Sequence, residues 1–311
     1  MKNTWLTIVN IAAGGGKAGK DWLQIREFLA KHEVQYHVEF TDRKLHAMVI
    51  VRRKIEEGYN KIIVVGGDGT MNEVINGIFA QKRVSTKEIM LGMISVGTGN
   101  DWARMFNIPT DYEKAIITIK NQVTFVQDAG LVTYKKNDRT WQRYFINIAG
   151  MGFGAKVVAK SNKMKAKGRS GPSTYMINLL TSLLGYRSPK ASILMDGLLI
   201  DRKVFSLSVG IGKFNGGGMM QIPSAIADDG LYSITLIKKV GKLNILANIK
   251  RLYNGKITEH SKVESYTAKE ISIDSPTQLH LETDGETLGH SPLEFQIIPR
   301  SIMVISGVMS A

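Results

Sequence analysis

The run Ile62-Ile63-Val64-Val65-Gly66-Gly67-Asp68-Gly69-Thr70-Met71-Asn72-Glu73-Val74-Ile75-Asn76-Gly77 constrains the fold more tightly than any other stretch of the chain. Four β-branched apolar residues without polar alternation describe a strand buried on both faces, as in a parallel sheet. Three glycines around one aspartate follow, and then a helical spacing, so the glycines sit at a strand-to-helix turn. Such a turn brings main-chain N–H groups and the positive end of a helix dipole to a phosphate, and glycine permits the backbone angles and the close approach. Asp68 sets a carboxylate among them, which a phosphate would tolerate only with a bridging Mg2+ or a hydroxyl partner. From the residues alone, a tight turn with Thr70 capping the helix is the other reading.

The rest of the N-terminal half keeps the strand–helix rhythm. Residues 4–9 read as a first buried strand that delivers Asn10 and the glycine-rich 14–20 segment to its carboxyl end, a favoured ligand position in an open α/β sheet. Lys17 and Lys20 in that segment read equally as phosphate partners or as solvated charges. Trp22, Leu23, Ile25, Phe28 and Leu29 recur at helical spacing over 21–32. A strand over 36–40 ends at Thr41, and an amphipathic helix over 47–58 stops at a glycine. The strand 91–96 runs into a second cluster, Gly97-Thr98-Gly99-Asn100-Asp101-Trp102, and 123–129 closes this half with Asp128.

Beyond residue 132 the rhythm changes to short strands, read at 144–149, 192–195, 204–209, 232–236, 271–273 and 278–282, with glycine punctuation that suggests an all-β, sandwich-like domain. A last strand, 301–305, returns to the first domain. The domains are thus read as 1–132 with 297–311 returning, and 133–296. Two acidic turns, Ile226-Ala227-Asp228-Asp229-Gly230-Leu231 and Asp284-Gly285-Glu286, look by composition like ordinary β-turns. Lys160, Lys163, Lys165, Lys167 and Arg169 crowd the 156–169 stretch ahead of the apolar-leaning 175–184 segment. This pairing suits either an anionic bilayer surface or a solvated helix.

Gly66-Gly67-Asp68-Gly69-Thr70-Met71-Asn72-Glu73-Val74 resembles the nucleotide-binding signature of the diacylglycerol kinase catalytic-domain family of lipid kinases, such as the bacterial diacylglycerol and sphingosine-type enzymes. NAD kinases share the G-G-D-G part, but their N-E pair lies well downstream, whereas here it follows at once. G-T-G-N-D, D-G-L and D-G-E occur in the family's order, so the resemblance covers nearly the whole length. Ile11 stands where the family usually has proline after Asn10. The resemblance implies a fold of two parts, an α/β nucleotide-binding domain like that of NAD and diacylglycerol kinases and a β-sandwich-like domain. It implies ATP held by Asn10, Thr41, Gly66, Gly67, Asp68, Gly69, Thr70, Asn72, Glu73, Thr98 and Asp101. It implies a structural Mg2+ on Asp229 and the carbonyls of Ile226 and Leu231, and an acceptor hydroxyl activated by Glu286, with Asp284 beside it and Asp68 as the rival base. The activity implied is ATP-dependent phosphorylation of a lipid hydroxyl, diacylglycerol to phosphatidate first. The alternatives are a NAD kinase-like enzyme and a non-catalytic nucleotide- or lipid-binding regulator.

Composition sets the outer limits. The 311 residues suffice for two cores, and 43% hydrophobic residues argue against wholesale disorder. With no cysteine, disulfides and thiolate metal sites are out, which suits a reducing cytoplasm. No stretch nears the roughly 20 apolar residues of a membrane span, and the N-terminus lacks a signal-peptide pattern, so the reading is a cytoplasmic protein with peripheral membrane contact. A net charge of +14 attracts polyanions, among them an anionic leaflet and a nucleotide. Without a zinc-finger spacing or an RRM motif, sequence-specific nucleic-acid binding has no support. Strand edges would admit a homodimer.

Overall fold

A computed structural model describes residues 2–166, 168 and 172–307. Lys167 and Arg169 of the basic stretch lie outside the described residues. The chain forms two compact units, one built from the chain up to Gln127 together with the segment from Arg300, the other from Asp128–Pro299.

The first unit alternates strand and helix: β1 Trp5–Asn10, α1 Ala13–Lys31, β2 Tyr36–Thr41, α2 His46–Glu56, β3 Lys61–Gly66, α3 Asp68–Ala80, β4 Met90–Ser95, α4 Asp101–Met105 and α5 Tyr112–Asn121. All strand pairs are parallel, in the order β2-β1-β3-β4, and Met303 and Val304 near the end of the chain pair with β4 on its other side. The apolar runs explain this. Leu6, Ile8, Val9, Ile62–Val65, Leu91, Met93 and Ile94 are buried, as strands covered by helices on both faces must be. Because the chain moves from β1 to β2 on one side and returns to β3 on the other, the order reverses between β1 and β3. Open α/β sheets bind ligands outside the carboxyl ends at such a point. Register aligns those ends: Asn10 lies opposite Thr41, Val9 opposite Val65, and Gly66 opposite Ser95.

The second unit is β-rich: β5 Thr124–Lys136, β6 Arg139–Phe145, β7 Ile148–Gly152, α6 Phe153–Ala166, α7 Pro172–Leu184, β8 Lys190–Met195, β9 Leu198–Gly210, β10 Phe214–Asn215, β11 Met219–Met220, β12 Tyr232–Lys238, α8 Lys242–Tyr253, β13 Val263–Ala268, β14 Glu270–Asp274, β15 His280–Thr283 and β16 Glu286–Ile305. β5 starts, and β16 ends, in the first unit. Antiparallel pairing runs β13-β12-β9-β7-β15-β16, with β8 on β9 and β14, and β14 on β16. The strand expected over 144–149 is in fact two. β6 ends at Phe145 and β7 begins at Ile148, because the N–H groups of 146–148 turn to the Asp284 carboxylate instead of a ladder.

Three helices accompany these strands. α6 and α7 occupy the segments read as basic and apolar-leaning, and α8 was not legible at all. Its start at Gly241 carries no side-chain cap, and Asn244 and Asn248 interrupt an otherwise helical spacing. Phe153, Val157, Leu179, Leu183 and Phe205 form the core that α6 and α7 make with β9, and Ile245 and Ile249 of α8 pack against it.

Candidate active site

The two glycine clusters touch, backbone against backbone. A Cβ built on Gly97 would lie 2.8 Å from the Gly67 Cα, and one on Gly67 3.1 Å from the Gly97 Cα. Gly14 joins them: at φ +62° it enters α1 in the left-handed region, and a Cβ there would stand 2.3 Å from the Val96 carbonyl oxygen. Three βα turns thus close into one floor that side chains would wedge apart. Gly97→Ala should therefore weaken ATP binding while costing about 1–3 kcal/mol of stability, the usual range for overpacking a close contact. A nucleotide titration with a melting curve checks this, and an ATP affinity equal to wild type would mean the loops do not share one ligand.

Helix α3 begins at Asp68, directly after extended Gly67, so Thr70 is inside its first turn and not its cap. The Thr70 hydroxyl accepts from Asn10 Nδ2 at 2.8 Å, which ties β1 to α3. Asn10 Oδ1 in turn accepts the Ala12 N–H at 3.1 Å. Asp68 reaches across to the start of α4, where its Oδ1 accepts from the Trp102 N–H at 3.1 Å and its Oδ2 from the Asp101 N–H at 3.3 Å. Enclosure of the Asp68 carboxylate pushes its pKa up from the ordinary aspartate value, against the pull of those N–H groups. Part of the residue surface still meets solvent, but the carboxyl group itself is packed, and the raised direction follows from that packing. Gly99 separates the Asp68 and Asp101 carboxylates, since a Cβ on it would lie 3.0 Å from one and 3.2 Å from the other. Two carboxylates this close to phosphate-type loops are a natural partner for a cation.

Other expected contacts sort differently. Thr41 is buried at the end of β2, level with Asn10, and Thr98 is exposed in the second glycine turn. Asn72 is fully buried in the second turn of α3, where its carbonyl and side-chain oxygens accept from Asn76 Nδ2. Glu73 points to the start of α2, accepting the Leu45 N–H at 2.8 Å and the Ala47 N–H at 3.2 Å. Leu45 enters that helix in a left-handed conformation with no cap of its own, so the Glu73 carboxylate supplies it. Lys17 donates to Asp21 at 2.6 Å and to the Tyr112 hydroxyl, and these bonds raise its pKa. Asn100 was only implicit in the second cluster. It is left-handed at φ 52°, and its Oδ1 is buried beside Gly97 with no partner. The left-handed preference of asparagine within a G-x-N-D run was the signal available for it.

In the second unit, the Asp284 carboxylate is a hub for main-chain donors. Its Oδ1 accepts from Asn147 at 3.1 Å and Ile148 at 3.2 Å, and its Oδ2 from Ile146 at 3.2 Å. The residue sits at φ 48° and is 6% exposed. Glu286 follows at the start of β16, half-buried. Behind this turn stands a residue the sequence reading passed over, Glu282, fully buried, with Oε1 accepting from Asn215 Nδ2 at 2.8 Å and Oε2 from the Gly285 N–H at 3.0 Å. Its only sequence signal was a charge within a strand of alternating leucines. Asn162 Nδ2 of α6 adds a bond to the Gly285 carbonyl at 3.0 Å.

At the other acidic turn, buried Asp128 accepts the Gly230 N–H through Oδ2 at 2.8 Å and donates its own N–H to the Ala227 carbonyl at 2.7 Å. Exposed Asp229 accepts the Leu231 N–H at 3.0 Å. Carboxylate and carbonyl oxygens on one glycine turn suit Mg2+ chemically. Among the described residues, no three acidic or imidazole side chains converge on a common point.

The diacylglycerol kinase catalytic domain family matches residues 4–132, and the YegS C-terminal NAD kinase beta sandwich-like domain matches residues 147–306. A diacylglycerol kinase of Staphylococcus carnosus (strain TM300) is 32% identical over 265 residues, which cover 85% of this chain and 82% of the relative. A second, from Staphylococcus aureus (strain bovine RF122 / ET3-1), is 33% identical over 267 residues, covering 86% and 80%. Among solved structures, a diacylglycerol kinase from Bacillus anthracis shares the fold with a TM-score of 0.72 at 22% identity, covering 98% of this chain and 97% of the other. Yeast NADH kinase shares it more distantly, with a TM-score of 0.53 at 11% identity, covering 98% and 84%. With each half matched by its own domain family, and with such identity spanning most of both proteins, the chain belongs to the diacylglycerol kinase catalytic-domain family, a family of lipid kinase-type enzymes.

Proposed function

We propose that this chain transfers the γ-phosphate of ATP to a lipid hydroxyl, with diacylglycerol to phosphatidate as the leading reaction. The observation that carries this reading is the shared floor of Gly14, Gly67 and Gly97 at the level carboxyl ends of β1, β3 and β4, with Asp68 at its centre. Main-chain N–H groups there would receive the phosphates, Thr70 and Asn10 hold the loop shape, and Asn100 Oδ1 offers an acceptor to a ligand hydroxyl or water. The carboxylates of Asp68 and Asp101 would hold Mg2+, which would supply the positive charge that neutralises the phosphates. A second Mg2+ on the 226–231 turn, held by Asp229 and the carbonyls of Ile226 and Leu231, would be structural. Glu286 takes the acceptor proton, while Asp284, already engaged by three N–H donors, shapes the loop that presents it.

Peripheral contact with an anionic bilayer belongs to the same proposal. Ile177 and Leu184 of α7 and Leu243 of α8 are 59%, 73% and 83% exposed, and Lys242 Nζ donates to the Leu184 carbonyl, which brings the two helix ends together. Lysines of α6, α7's neighbour, supply the charge.

The test is transfer from γ-labelled ATP with Mg2+ to diacylglycerol, other lipid alcohols and NAD, the lipids offered in mixed micelles. Label is expected in phosphatidate. Label in NADP alone would replace this reading with the NAD kinase-like one, and no transfer with ATP still bound would leave a nucleotide-binding regulator.

A further inference from the structure

Glu282 takes no part in the chemistry proposed above, yet the fold keeps its carboxyl in the interior, between equally buried Leu281 and Thr283. A buried carboxyl is costly unless hydrogen bonds meet it. The sheet makes room for this one: Gly150 of β7 lies opposite Glu282, and a Cβ there would collide with Glu282 Oε1. Its two oxygens then face different ways. Oε1 accepts from Asn215 Nδ2 at 2.8 Å, which holds the carboxyl against β10, while Oε2 accepts the Gly285 N–H at 3.0 Å.

Gly285 stands between Asp284 and Glu286, and packing does not fix it. Its φ is +81°, and a Cβ on it would meet no atom of the described residues within 4 Å. A glycine in open space has more backbone freedom than any other residue. Its two peptide groups are held instead from either side: Glu282 accepts the N–H, and Asn162 Nδ2 of α6 donates to the carbonyl at 3.0 Å. The same amide nitrogen reaches Thr287 Oγ1 at 3.3 Å, one residue beyond Glu286. Glu286 hangs from the second of those peptides, so its backbone lies where the two bonds put it.

We propose that Glu282 and Asn162 are positioning residues that clamp Gly285 and thereby aim the Glu286 carboxylate. They act through Glu286 and not on the substrate. That the aimed carboxylate takes the acceptor proton rests on the kinase reading above; that Gly285 is clamped does not. A misplacement of about 1 Å at a reacting group costs about a hundredfold in rate, so the loss of either bond is enough to show in transfer.

Two measurements on the full chain test this, hydrogen exchange at the Gly285 amide and steady-state transfer from ATP with Mg2+ to diacylglycerol. Glu282→Leu, Glu282→Gln and Asn162→Ala would be compared with wild type, each alone and combined with Glu286→Gln, and each checked by a melt. Glu282→Leu should speed Gly285 exchange about tenfold or more, the worth of a hydrogen bond to a charged group. It should also lower kcat by about tenfold to a hundredfold with KM for ATP unchanged. Glu282→Gln should recover most of both, because its amide oxygen still accepts the Gly285 N–H and its NH2 group donates to Asn215 once that side chain turns over. Asn162→Ala, at a half-buried helix position, should lower kcat about tenfold and leave the melt intact, and it carries the test if Glu282→Leu melts early. In the Glu286→Gln background neither substitution should lower the remaining rate further, since nothing is left to aim. Gly285 exchange unaltered in Glu282→Leu would overturn the clamp. A kcat loss by the same factor in both backgrounds would overturn the aim and leave Glu282 a support of the fold. If wild type labels no lipid, the kinase reading and the aim fall together, while the exchange result still decides the clamp.

Discussion

Asp68→Asn is expected to lower phosphoryl transfer by about a hundredfold or more, the usual cost of losing a charged group that acts on the reacting phosphate, while the folded chain at pH 7 stays at least as stable as wild type. The two halves of that expectation share one cause. Enclosure raises the Asp68 pKa, so the fold favours the protonated carboxyl. A group with a raised folded pKa contributes its stability below the unfolded value and loses it as pH rises through the folded one. At neutral pH the ionised carboxylate is therefore a burden on the fold, which a cation beside it would relieve. Asparagine carries the uncharged form at every pH and keeps an oxygen for the Trp102 N–H. The stability difference between variant and wild type should shrink as pH falls from neutral through the raised pKa toward the ordinary aspartate value. Paired melts from pH 7 to pH 4, alongside transfer rates, measure both. A variant that melts well below wild type at pH 7 would show that Asp68 serves α4 as a cap more than it serves a ligand.

Much of this arrangement was legible in the chain because the N-terminal half obeys local rules. The uninterrupted apolar run 62–65 and the glycines after it state a buried strand and a tight turn with few alternatives. The strand pattern put Asn10 at the end of β1 and Thr70 just after β3, and a hydrogen bond joins the two side chains. What spacing does not carry is direction. Glu73 and Asn72 stand next to the glycine motif in sequence, yet the helix turns one to cap α2 and buries the other against Asn76. In the second half, the contacts that matter join residues far apart in the chain, such as Asp284 with 146–148 and Asn215 with Glu282, and no periodicity announces them. α8 escaped for a related reason: its helical state depends on packing Ile245 and Ile249 on a core assembled from α6, α7 and β9.

The proposed function gives the two carboxylates of the D-G-E turn different roles, Asp284 structural and Glu286 chemical, and the difference can be measured. Asp284→Ala leaves three buried N–H groups without their acceptor, each worth about 1–3 kcal/mol, and puts alanine at a φ of 48° that it resists. The melting temperature should fall on the order of 10 °C, at about 2–4 °C per kcal/mol for a unit of this size. Asp284→Asn keeps one oxygen, and because Oδ1 alone serves both Asn147 and Ile148, it should recover most of that loss. Glu286→Gln should melt like wild type and lose transfer by about a hundredfold or more, since an amide cannot take the acceptor proton. Transfer retained in Asp284→Asn and lost in Glu286→Gln assigns the proton to Glu286. The opposite pattern, with the Asp284→Asn melt intact and its transfer gone, would move the base to Asp284 and make its three N–H donors the device that keeps that carboxylate ionised.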